Sequence, residues 1–204
     1  MGTMINTYLK DFISGYSIEV IPKTVAKTES FGDILPKSTR VYLAHLQDAD
    51  ITEMVPAAKR LNDEGFTVMP HIPARVIKNK AMLGDWLSMY QNEAGVDEAL
   101  LIAGGSPKPI GDYDSSIKLI ESGLFDLAGF KRLHIAGHPE GNKDIDPDGE
   151  IKNVSEALSW KQEFSKRTDA EMAIATQFCF DANVVKKWMD DIKDDGIDIP
   201  IHIG

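Results

Sequence analysis

Short apolar runs alternate with amphipathic stretches along nearly the whole chain. The runs are Tyr16–Ile21, Arg40–Leu46, Phe66–His71, Ala99–Ala103, Arg132–Ala136, Glu171–Gln177 and Ile199–Ile203, and β-branched or aromatic residues occur in all of them. Between them, apolar positions recur at helical spacing within Ile51–Glu64, Val76–Glu93 and Ala182–Asp195, while Pro22–Thr39 is a weaker helix candidate bounded by Pro22 and Pro36. The residues before Tyr16 predict a short helix or arm. Strand and helix in alternation predict parallel strands joined by crossover helices.

The punctuation between elements agrees. Gly65, Gly95 and Gly196 each follow a predicted helix and precede a strand, where glycine accepts the left-handed conformation that closes a helix. Asp48 or Asp50 suits the N-cap of the second helix and Asp181 that of the last, while Pro56 falls in the first turn or at a kink. Two long connections, Ser106–Tyr113 and Gly137–Gly149, follow strands four and five.

These features predict an α/β protein of the TIM (β/α)8-barrel type. Such barrels carry their chemistry at the C-terminal ends of the strands. Those ends read Glu19, His45, His71, Gly104–Ser106, His138 and Gln177. Seven strands are supplied by Gly204, so the expectation is one domain over residues 1–204, truncated after strand seven. An open seam beside that strand is expected to drive homo-oligomer formation.

Composition changes the picture mainly by exclusion. The 204 residues carry a net charge of -10, and the basic residues are scattered rather than gathered into the stripe that nucleic acid requires. The single Cys179 rules out an internal disulfide, and the sequence holds no signal peptide at Met1–Phe12 and no membrane-length apolar run. A cytoplasmic protein without nucleic-acid or membrane partners is expected. The acidic stretch 143–150 lacks calcium-loop spacing and reads as solvated loop.

Several residues suit chemistry. Alternation places Glu19 away from Ile18 and Val20, towards a barrel interior where burial would raise its pKa and suit it to proton donation. The alternatives are a surface-facing carboxylate or a buried ion pair. His45, His71 and His138 suit hydrogen bonds to a cofactor or a loop carbonyl better than a metal site, since no His-x-His pair occurs. Gly104 and Gly105 would let backbone amides approach a ligand, although a tight turn explains them as well. Gln177 offers donor and acceptor to an amide-bearing heterocycle. Phe178, Phe180 and Cys179 read as packing residues.

The motifs Ser17-Ile18-Glu19-Val20-Ile21-Pro22-Lys23, Pro70-His71, Gly137-His138-Pro139-Glu140, Thr176-Gln177-Phe178-Cys179-Phe180-Asp181 and Gly196-Ile197-Asp198-Ile199-Pro200-Ile201 occur in one order. In them the chain resembles the flavin-dependent methylenetetrahydrofolate reductase family over almost its full length. The resemblance implies a barrel that holds FAD, takes hydride from NAD(P)H, and reduces 5,10-methylenetetrahydrofolate to 5-methyltetrahydrofolate. It implies Glu19 as general acid, Gln177 as a folate contact, and His45, His71, Gly105, Tyr113 and His138 as flavin contacts. Gly104 and Ser106 stand with Gly105 where the family has Arg-Gly-Asp, Asn142 stands where it has a histidine, and Lys161 lies near its phosphate-contacting lysine. A folate- or flavin-binding relative without turnover, or a folate-linked methyl-transfer enzyme, are the alternatives.

Overall fold

The computed structural model describes residues 10–11, 13–46 and 49–204. The expectations for Met1–Phe12 fall almost wholly outside them, as does Asp48.

Seven strands carry the architecture: β1 (Ser17–Val20), β2 (Arg40–Leu43), β3 (Thr67–Pro73), β4 (Glu98–Ile102), β5 (Arg132–Gly137), β6 (Glu171–Thr176) and β7 (Ile201–His202). The helices are α1 (Pro22–Lys27), α2 (Ile51–Asp63), α3 (Lys80–Ala94), α4 (Ser116–Glu121), α5 (Leu124–Ala128), α6 (Lys152–Ser165) and α7 (Ala182–Asp194). A 3-10 turn, Ala74–Val76, follows β3. The chain packs as two compact units, residues 1–71 with 88–96, and residues 72–87 with 97–204.

In the first unit β1 pairs with β2 and β2 with β3, both in parallel. Val41 and Leu43 are buried, as are Met54, Val55, Ala58 and Leu61 of α2, which packs on β2. Their spacing is the one-face helical pattern. Asp50 is the cap, accepting from the Thr52 amide at 2.8 Å, and Pro56 sits within the helix, past its first turn. The weak helix expected over Pro22–Thr39 is only six residues long. Arg60 of α2 explains where the chain goes instead: its guanidinium donates to the carbonyls of Val25, Thr28 and Glu29. Those carbonyls lie at and just beyond the end of α1, where no helical partner is available.

In the second unit β4, β5, β6 and β7 pair in chain order, again all parallel. The register is marked by charge. Glu98, Arg132 and Glu171 are direct neighbours across three strands, and Arg132 contacts both carboxylates. One face of these strands presents Leu101, Leu133, Ile135 and Ile174, all fully buried. Each such side chain contributes about 1.5–3 kcal/mol by leaving water. Gln162 of α6 ties in the approach to β7, its Oε1 accepting from the amides of Asp198 at 3.0 Å and Ile199 at 3.3 Å.

The architecture is thus α/β with seven parallel strands, neighbours within each unit being consecutive in the chain. Gly65, Gly95 and Gly196 all have positive φ, as expected of helix-closing positions. No helix among the described residues is long and apolar enough to cross a membrane.

Candidate functional site

The first unit gathers Glu19, Tyr42 and His71. Register pairs Glu19 with Tyr42 and Tyr42 with Met69, so these three share a face, and His71 falls on it two residues further along β3. Nε2 of His71 lies 3.3 Å from Oε2 of Glu19, and Tyr42 meets the imidazole edge-on with ring centroids 6.4 Å apart. The separation is that of an ion pair, while Nε2 is buried without a well-directed hydrogen bond.

This arrangement corrects the expectation for Glu19. Its side chain is 60% exposed, and its carboxyl is held below the usual range by the His71 imidazole, with partial burial opposing that effect. Desolvation was expected to raise this pKa, but the opening of the face towards solvent leaves desolvation the lesser influence. His45 follows β2 and is buried. Burial lowers its pKa, while a hydrogen bond to the Ala49 backbone raises it. The ring thus serves the backbone of the loop leading into α2.

The second unit holds the loop after β4. Gly104 has φ +91°, and a Cβ there would lie 2.9 Å from Cβ of Pro73. The turn and this close packing account for Gly104 without a ligand. Gly105 is exposed, and a Cβ there would meet nothing within 4 Å. Ser106 turns its hydroxyl to the carbonyl of Lys108 at 2.7 Å. Tyr113 is buried, and burial together with the Asp112 charge raises its hydroxyl pKa.

Beyond it lies a second group on β5, β6 and β7. Register places His134 beside Ala173, and Ala136 and His202 on either side of Ala175, all on one face. Small alanines between the outer strands let His134 and His202 meet, with ring centroids 5.0 Å apart at 31°. His134 is fully buried, whereas Ala136, Ala175 and His202 are partly open. His138 and Gln177 come directly after β5 and β6, the first half-buried and the second exposed.

Lys161 of α6 is buried and makes no hydrogen bond or ion pair among the described residues. Burial lowers its pKa to about 8. His138 is lowered too, by burial first and by the Lys161 charge second, which brings the two groups into one electrostatic neighbourhood. Asn142 uses its Oδ1 on the Asp144 amide at 2.9 Å and so shapes the loop.

Three expectations around these groups change. Phe178 and Phe180 are 61% and 91% exposed and pack edge-to-face on each other, because β6 ends at Thr176 and its alternation does not continue. Cys179 is half-buried and donates to the Gln177 carbonyl rather than packing in the core. Asp146, read as part of a solvated acidic loop, is buried and accepts from the amides of Asn153 and Val154 at the start of α6. Among the described residues no group of three or more His, Cys, Asp or Glu side chains is placed to hold a metal ion.

Sequence reasoning missed Arg75, Asp146, Gln162 and the His134–His202 contact. Pro73-Ala74-Arg75 directly after a strand was the available signal for Arg75, and period two from His138 back to His134 was the signal for the histidine pair. Nothing in the sequence separates Asp146 from its acidic neighbours. No family model matches the chain.

Proposed function

We propose that the protein is an FAD-dependent reductase of one-carbon folates, converting 5,10-methylenetetrahydrofolate to 5-methyltetrahydrofolate with NAD(P)H, on strands belonging to a (β/α)8-type barrel. The observation that supports this most is the face over β5–β7. Ala136 and Ala175 are small and partly open, His202 lies beside Ala175, His138 and Gln177 follow directly after β5 and β6, and the charge of the buried, unpaired Lys161 reaches His138. A buried amine without a counter-charge is costly unless an anion satisfies it. A flavin dinucleotide brings both a planar ring and a pyrophosphate, so the residues present fit it.

When bound, FAD would supply two-electron hydride transfer between nicotinamide and folate. Lys161 would hold its phosphates, His138 and the exposed Gly105 would lie along it, and Gln177 would orient the folate. Glu19 would donate the proton that opens the folate's five-membered ring. His71 favours the carboxylate, so Glu19 takes up that proton only as substrate loosens the contact. Reduction of a cytoplasmic folate pool, and self-association through the exposed Phe178–Phe180 pair, belong to the same proposal.

One observation favours a flavin- or folate-binding protein without turnover. Ser106 offers no carboxylate after β4, and its hydroxyl is committed to Lys108. A single preparation distinguishes these readings. The purified chain titrated with FAD should turn yellow, bleach anaerobically with NADH or NADPH, and recover its colour on addition of 5,10-methylenetetrahydrofolate. Binding without bleaching selects the binding protein, and a chain that stays colourless with excess FAD overturns the proposal.

A further inference from the structure

The loop after β4 contains Pro107 and Pro109, which remove two backbone donors and leave it little means of holding itself. It is instead wrapped on one residue. The Arg75 amide donates to Ala103 at 2.9 Å, and its carbonyl accepts from Ile110 at 3.0 Å. Its Nη1 donates to the Ser106 carbonyl at 3.0 Å and its Nε to the Asp114 carbonyl at 3.1 Å. Arg75 makes no ion pair among the described residues, so its guanidinium is devoted to backbone.

The next contact is equally specific. Lys78 accepts from the Asp112 amide at 3.1 Å, and a Cβ on Gly111 would come within 1.8 Å of the Lys78 oxygen. Only glycine permits that approach. The planar fork of arginine reaches two carbonyls eight residues apart, which a lysine ammonium cannot reproduce.

We propose that Arg75 is a positioning residue: it holds residues 104–114 as a preformed rim, fixing Gly105, Ser106 and Tyr113 for ligand before any ligand arrives. This rests on the reading of that loop as part of the flavin site. Preorganisation of this kind raises affinity by removing an ordering cost from binding.

The test compares wild type, Arg75→Ala, Arg75→Lys and Gly111→Ala by amide hydrogen exchange of the ligand-free chain and by FAD titration. In Arg75→Ala the Ile110 and Asp112 amides should exchange about tenfold faster while those of Leu101 and Ile135 keep their rates, and FAD should bind about tenfold more weakly. Arg75→Lys should fall between, and Gly111→Ala, which displaces the loop with the arginine intact, should match Arg75→Ala. Unchanged loop exchange, or acceleration throughout the protein, overturns the clamp. A loosened loop with undiminished FAD affinity overturns the positioning role. A wild-type chain that binds no FAD, with the loop still loosened by Arg75→Ala, overturns the flavin reading and leaves the clamp standing.

Discussion

Glu19 and His71 stand 3.3 Å apart, carboxylate oxygen to ring nitrogen, on one face of a parallel sheet with β2 between their strands. That spacing makes Glu19 a better anion than an ordinary glutamate in the ligand-free protein. A proton donor at this position would therefore be made by binding, not stored beforehand.

Glu19→Gln keeps the side-chain shape and removes the acid. Under the proposed function it should abolish recovery of flavin colour by folate while leaving bleaching by NAD(P)H intact, as followed in the two anaerobic half-reactions. Loss of both together would indicate a structural role. The pH dependence follows from the lowered carboxyl. Its stabilisation is present above the ordinary glutamate range near pH 4.5 and is lost as pH falls through the folded value. Exposure limits that contribution to at most about 1 kcal/mol. Urea midpoints between neutral pH and pH ~3 should fall less steeply in Glu19→Gln.

Two glycines should respond unequally to alanine. A Cβ on Gly137 would lie 2.5 Å from Cγ2 of Ile174 and 3.0 Å from Cη2 of Trp188, whereas one on Gly105 meets nothing within 4 Å. Neither has positive φ. Gly137→Ala should cost about 1–3 kcal/mol by overpacking, and Gly105→Ala should stay within about 0.5 kcal/mol. If the Gly105 amide serves a ligand, Gly105→Ala should weaken FAD binding with its urea midpoint unchanged.

The strand pattern was legible because period-two runs and helix-closing glycines are local signals. β3, β5 and β6 begin and end within two residues of their expected positions. The failures were of another kind. Continuing the alternation past Thr176 buried Phe178 and Phe180 on paper, but alternation holds only while the strand is paired, and β6 stops first. The direction of the Glu19 shift depended on an imidazole fifty-two residues away in sequence, beyond the reach of any local reading. Arg75 escaped for the same reason: its acceptors are backbone carbonyls, which carry no sequence signature.

Asp146 should be worth more than its neighbours in the acidic loop. Its carboxylate meets two α6 amides, at 2.9 and 3.0 Å, in a buried setting. Asp146→Ala leaves both donors unpaired and should cost about 2 kcal/mol, lowering Tm by about 4–8 °C. Asp148→Ala, which loses one bond to the Glu150 amide, should change Tm far less. Equal effects in scanning calorimetry would show that the buried cap contributes nothing special.

Lys161 gives the sharpest pH signature. Its folded pKa of about 8 lies below the ordinary lysine value of 10.5, so the fold disfavours its charged form. Below pH 8 both states bind the proton, and the folded state carries the full penalty, an upper bound of about 3 kcal/mol at 1.36 kcal/mol per pKa unit. Between pH 8 and 10.5 the unfolded chain binds more protons than the folded one, so this group makes stability rise with pH. Lys161→Met fills the same space without charge. It should raise the neutral-pH urea midpoint and flatten the rise above pH 8. An anion that pairs with the amine recovers the penalty on binding, so inorganic pyrophosphate should raise the Tm of the wild type and not of Lys161→Met. A variant no more stable than wild type at neutral pH would mean that the buried amine already has its counter-charge.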